Sequence, residues 1–427
     1  MTDTVSIKSV FNHHLEQLNG SAAALSELKK AALESFVEMK FPTSKHEEWK
    51  YTPTLLFSKS ELDYSNTYTI QGNETLLPSA FEANIKIVFI NGVYSKAHST
   101  SSDLIEVLSI TEASTNPCFL NYFNTLANNI TEPYTAFNTS FFKEGVFITV
   151  KKKAQIEEAI VIEYHETEAA TQYVQQIRNL IVVETGAIAS FIVKHSINHA
   201  NSSLSNTFNE LIIEENAQAT IYLVQNELHQ IHHINTWEVE QKRDARCNFF
   251  TYSDSAALLR NNLHILMNAP GLTCDTKGIY LASKKNIIDN HLKIEHKHPH
   301  CSSFQLYRGI MQEEGTGVFN GKIHVHKDAQ KTDAYQSNKN LLLSSNAYIY
   351  TKPQLEIFAD DVKCSHGATI GNLDEAALFY CTARGIRKET AKMMLTLAFA
   401  NEVLNELDNE AVQQYIERAI EQTLLKD

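Results

Sequence analysis

Asn179-Leu-Ile-Val-Val-Glu-Thr-Gly-Ala187 carries the pattern from which the fold is read: a β-branched apolar run that stops at a small, polar corner. The unit recurs. Glu210-Leu-Ile-Ile213 leads into Glu215-Asn-Ala217, and Ala219-Thr-Ile-Tyr-Leu-Val224 follows directly. Further corners stand at Arg243-Asp-Ala245, Asn268-Ala-Pro-Gly271, Lys327-Asp-Ala329 and Ser345-Asn-Ala347. Apolar runs bounded by Gly, Asn and Asp read as strands and turns. Their recurrence, roughly every 18 to 30 residues, is the spacing of coils in a solenoid.

Working outward, Lys86-Ile-Val-Phe-Ile90, Gly145-Val-Phe-Ile-Thr-Val150 and Ala159-Ile-Val-Ile-Glu163 extend the β-rich region back to residue 85, and it runs on to about Ile370. No long helical pattern interrupts it, so the strand connections are too short for helical crossovers. A β-helix accounts for both the length of the β core and its short connections. A pair of β-sandwiches is the other reading of the periodicity.

The flanks are helical. Leu25, Leu28, Ala32, Leu33 and Phe36 recur at helical spacing until Phe41-Pro42 ends the pattern. Lys45-His-Glu-Glu-Trp-Lys-Tyr-Thr-Pro53 follows and reads as a turn or short helix pinned by Trp49 as a packing anchor. Beyond Gly371 a helix is expected from Leu373 to the Gly385 cap. A second runs from Lys388 to about Leu407, and a third carries Val412, Ile416, Ile420 and Leu424 on one stripe. The expected organisation is a helical region over 1–84, a β core over 85–371 and a helical domain over 372–427.

With 427 residues, 43% apolar and 20% charged side chains, the chain can bury a large core. Fifty acidic against 37 basic groups give a formal charge of −13, which argues against nucleic acid and anionic lipid as partners. Six cysteines are widely spread without a CxxC pair, as suits a reducing compartment. Neither a signal segment nor a membrane span is read, and the expected location is the cytoplasm.

Enzyme motifs are missing. Gly315-Thr-Gly-Val-Phe-Asn-Gly-Lys322 resembles a phosphate loop only loosely, with Ile323 where Ser or Thr would hold magnesium and a strand-like run after it. No bound nucleotide is expected. Asp360 and Asp361 are adjacent and so point to opposite faces of an extended segment, a poor pair for a β-helical carbohydrate-active enzyme. Two stretches offer metal donors. His296, His298 and His300 alternate as they would along a strand. Asp360-Asp-Val-Lys-Cys-Ser-His-Gly367 places Cys364 and His366 on one face if extended, and the spacing suits either half a soft-metal site or buried packing.

Several segments are similar to the SufB/SufD family of the SUF iron–sulfur cluster assembly system, and to its SufD branch in particular. They are Glu48-Trp-Lys-Tyr-Thr52, His298-Pro-His-Cys-Ser-Ser-Phe-Gln-Leu-Tyr-Arg-Gly-Ile310, Gly317-Val-Phe-Asn-Gly-Lys-Ile323 and Ala329-Gln-Lys-Thr-Asp-Ala-Tyr-Gln336. Lys352-Pro-Gln-Leu-Glu-Ile357, Ala359-Asp-Asp-Val-Lys-Cys-Ser-His-Gly-Ala-Thr369 and Leu378-Phe-Tyr-Cys-Thr-Ala-Arg-Gly-Ile386 complete the set. The resemblance implies a mainly β protein, a right-handed parallel β-helix with helical N- and C-terminal regions, acting as a non-catalytic scaffold. It implies pairing with a SufB-like subunit through Lys363, Cys364, His366, Ala368 and Thr369. His366, with Cys364 beside it, would help to hold a transient iron or iron–sulfur cluster shared with that partner. A SufC-like ABC ATPase would dock on the C-terminal helices, through Phe379, Tyr380, Arg384, Met394, Leu395 and Phe399. The alternative within the family is a SufB-like homodimeric cluster scaffold.

Overall fold

The computed structural model describes residues 23–53, 68–167, 174–197, 203–226, 231–254 and 256–425. The strands form two sheets, one of ten strands and one of nine, and from Val146–Val150 onward successive strands alternate between them. Pairing is parallel throughout, apart from two antiparallel pairs at the N-terminal end, Lys86–Ile90 with Val93–Tyr94 and Ile105–Ser109 with Val146–Val150. This is a parallel β-helix. Asn235, Asn261, Asn290, Phe319 and Thr351 stack in register, so a coil takes about 30 residues.

The recurring corners have a physical cause. Gly186, Asn216, Asp244 and Gly271 all adopt positive φ, the left-handed turn that Gly allows freely and Asn or Asp tolerate. The alanine after the first three, Ala187, Ala217 and Ala245, is fully buried, because only a small side chain fits where the chain turns inward. The first two corners also hydrogen-bond to the next: Gly186 N–H donates to Glu215 O at 2.9 Å and Asn216 N–H to Arg243 O at 3.0 Å.

Inward residues form columns, since parallel in-register pairing places equivalent positions over one another. Ile181, Leu211, Val239, Ile265, Ile294, Ile323 and Leu355 make one continuous aliphatic column. Such stacking keeps the column close-packed.

Helices cover the outer faces. Near the N-terminus lie α1 (Ala23–Met39), the short α2 (Ile110–Ala113) and α3 (Pro117–Tyr122), and α4 (Pro133–Phe141). Three of them interrupt the β region, where the sequence shows no long helical pattern. Phe36, Phe137 and Phe141 pack over Val174, Leu204, Ile234 and Leu258 on the outer face of the nine-stranded sheet. At the other terminus are α5 (Glu375–Ala383), α6 (Lys388–Leu404) and α7 (Glu410–Leu425). Val403, Val412, Ile416 and Ile420 bury the outer face of the ten-stranded sheet at Tyr222, Tyr252, Ile279 and Ile310. An ion pair between Arg308 and Glu402 at 2.5 Å fastens α6 to that sheet.

The histidine stretch folds otherwise than the alternation predicts. The strand ends at His296, Pro299 breaks the run, and His300 takes a positive φ. His296 is buried and bonds the Ser303 hydroxyl, while His300 is exposed, so the three imidazoles share no face.

Candidate functional site

The β-helix is open at its C-terminal end. Among the described residues, the last two strands, Tyr348–Ile357 and Lys363–Gly371, are each paired with another strand on one side only. An unpaired strand edge is a template for another chain. Around it stand exposed apolar side chains: Tyr348 (57%), Phe358 (61%), Ile370 (51%) and Tyr335 (42%).

Cys364, His366, Ala368 and Ile370 alternate along the final strand and continue columns whose previous members, Ala334, Gln336, Asn338 and Asn340, are all buried. Their face is therefore the luminal one, left uncovered because no further coil follows. Lys363 and Thr369 fall on the opposite face and are exposed.

The column ending at His366 changes character along its length. It runs Phe191, Ile221, Phe249, then Thr276, Gln305, Gln336 and His366, from apolar to fully polar at the open end. The neighbouring column runs Ala189, Ala219, Cys247, Cys274, Ser303, Ala334 and Cys364, small side chains throughout. A small column beside a bulkier one leaves Cys364 half-buried against Ile323, Val325 and Ala334. Burial pushes its thiol pKa up and Asp333 adds to the rise, while the Ala334 backbone amide pulls it back in part. Binding a metal at this sulfur releases a proton.

A thiol and an imidazole on one face form a donor pair suited to iron. Among the described residues no group of three or more His, Cys, Asp or Glu side chains is gathered for a metal ion. A tetrahedral centre held here draws its remaining ligands from outside those residues.

The Glu48-Trp-Lys-Tyr-Thr52 segment reaches this end from the far terminus. Trp49 is buried, stacks on Tyr134 and lies under the Arg260 guanidinium, 3.6 Å from its ring centre. Glu48 accepts from Asn320 Nδ2 at 2.8 Å and pairs with His291 at 3.3 Å. Thr52 donates to Asp289, Tyr51 stacks on Tyr350 at 3.8 Å, and Glu47 pairs with Lys352. One short segment thus spans successive coils up to the edge strand. Local sequence shows the anchor but not these partners, all of which except Tyr134 lie more than 200 residues away. A cavity of about 500 Å³ lies between this segment and the sheet, lined by Glu132, Arg260, His264 and Lys322 among others.

The residues expected to dock an ATPase divide. Helix α5 buries none of its residues, and Phe379 (74%) and Tyr380 (60%) stand exposed, with Arg384 over the Tyr380 ring at 5.0 Å. Met394 is also exposed. Leu395 and Phe399 are half-buried, Phe399 against the α6–α7 cluster and the Arg308 guanidinium.

Family comparison agrees with this architecture. Residues 164–399 match the family described as "SUF system FeS cluster assembly, SufBD core domain", and residues 1–162 match the SufBD protein N-terminal region. The iron-sulfur cluster assembly protein SufD of Escherichia coli is 29% identical over 425 residues, covering 96% of each chain. A SufBD family protein of Synechocystis is 26% identical, over 92% of this chain and 89% of its own. The chloroplastic protein ABCI7 of Arabidopsis thaliana is 27% identical, over 92% of this chain and 85% of its own. The core match alone takes in more than half of the chain, and the protein belongs to the SufBD family of SUF-system iron–sulfur cluster assembly proteins.

Proposed function

We propose that this chain is a SufD-type, non-catalytic scaffold subunit, which pairs through its open β-helix end with a SufB-like subunit in the cytoplasm. The observation that carries the reading is the uncovered luminal face of the last coil, which presents Cys364 and His366 between two unpaired strand edges. A partner β-helix adding strands to those edges satisfies their backbone groups and closes the lumen over both donors. Iron or a nascent cluster is then cargo, held between His366, with Cys364 beside it, and ligands of the partner. The exposed apolar surface of α5 and α6, around Phe379, Tyr380 and Met394, docks a SufC-like ABC ATPase, so nucleotide is bound and hydrolysed by that partner.

Co-purification of the tagged chain with untagged SufB-like and SufC-like proteins tests both surfaces. Ile370→Asp places a charge on the open end and is expected to lose the SufB-like subunit while keeping the ATPase. Phe379→Asp is expected to do the reverse. Retention of both partners by either variant contradicts the corresponding assignment.

A further inference from the structure

Directly beneath His366 in its column lies Gln336, fully buried, and beneath that Gln305, also fully buried. Gln336 Nε2 donates to Gln305 Oε1 at 2.5 Å. The amide is held there by more than this bond. Gly321 of the facing sheet leaves the space it occupies, since a Cβ at 321 would stand 2.2 Å from Gln336 Nε2. With Nε2 committed to Gln305, Gln336 Oε1 is a buried acceptor without a hydrogen-bond partner. A buried carbonyl left unpaired costs free energy comparable to a lost hydrogen bond. The next side chain in the column is His366, which is exposed.

We propose that Gln336 is the positioning residue for His366. Its Oε1 accepts an N–H from the imidazole, which fixes the ring tautomer and leaves the other nitrogen's lone pair directed away from the coil, toward the partner side. A neutral imidazole donates through one nitrogen and accepts or ligates through the other, and the group bonded to the first decides which is which. Ligating histidines are ordinarily held in this way by an outer acceptor. The inference deepens the reading of His366 as a ligand and rests on it for its purpose, while the hydrogen bond it proposes involves residues of this chain alone.

Ring ¹⁵N chemical shifts of the histidine-labelled, metal-free full chain, at a pH where the imidazole is neutral, report the tautomer; the His366 signals are identified by their loss in His366→Ala. One tautomer is expected to predominate roughly fivefold to tenfold, the bias that a single net hydrogen bond gives. Gln336→Met keeps the shape, removes the acceptor and is expected to abolish the bias. Gln336→Glu keeps an acceptor, with Gln305 turning its own unpartnered Nε2 toward it, and is expected to preserve the bias. An unchanged ratio in Gln336→Met overturns the proposal, as does loss of the bias in Gln336→Glu. If Gln336→Met does not fold, Gln336→Glu decides alone. Because no metal is present, the outcome is separate from whether His366 ligates cargo, which substitution of His366 in the assembled complex decides.

Discussion

Arg178 and Glu210 are both fully enclosed, and each answers the cost of the other's burial. Burial lowers the pKa of the arginine and raises that of the glutamate, with their 3.0 Å ion pair opposing both shifts. The guanidinium also donates to Thr139 Oγ1 and Asn124 Oδ1, and the Phe208 ring lies 4.0 Å from it. Removing one partner leaves a buried charge uncompensated, so Arg178→Met is expected to destabilise the chain by about 3–5 kcal/mol. The double variant Arg178→Met, Glu210→Leu should recover most of that loss, measured by urea denaturation. A pair of this kind is not legible in sequence, because nothing local marks residues 178 and 210 as neighbours. Cys364 and His366 are different: strand alternation alone puts them on one face, and the structure adds that the face is luminal and uncovered. Gln336 shows in sequence only as a polar residue one coil before the histidine.

At the scale of elements, the corners at Gly186, Asn216 and Asp244 are the readable part of the fold, because a left-handed turn followed by a buried alanine constrains composition tightly. The helices between residues 110 and 141 were not readable, since each is too short to show a face. The N-terminal segment reads locally as an anchor and in the fold is a clamp across coils. Trp49→Ala removes its centre and is expected to cost about 3–5 kcal/mol in chemical denaturation. A second tie between coils lies on the outer face of the nine-stranded sheet, where His264 bonds Glu238 at 2.8 Å and Glu295 at 3.3 Å. Burial opposes the charge on His264, but the two carboxylates outweigh it and raise its pKa from 6.5 to about 9. The stability it adds is fully present below about pH 6.5 and is lost as pH rises through about 9. Denaturation midpoints of the parent chain and His264→Gln should therefore differ most in mild acid and converge in alkali.

Across the whole molecule, one luminal column passes from Phe191, Ile221 and Phe249 to Gln305, Gln336 and His366 at the open end, while helices cover the outer faces of both sheets. A solenoid grows by adding coils to an edge, and each coil is stabilised by its neighbour. The last coil here has a neighbour on one side only, and its polar donors sit where the next coil would lie. Length and periodicity announce the solenoid in sequence; which end stays open is decided by where the helices fold back, a property of the assembled chain. The direct test of the open end as half of a shared cluster site is iron and sulfide content, with the visible spectrum, of the complex co-expressed with SufB-like and SufC-like partners and carrying His366→Ala. The complex is expected to assemble as the parent does and to lose cluster formation; an unchanged cluster yield in the intact complex would contradict the assignment.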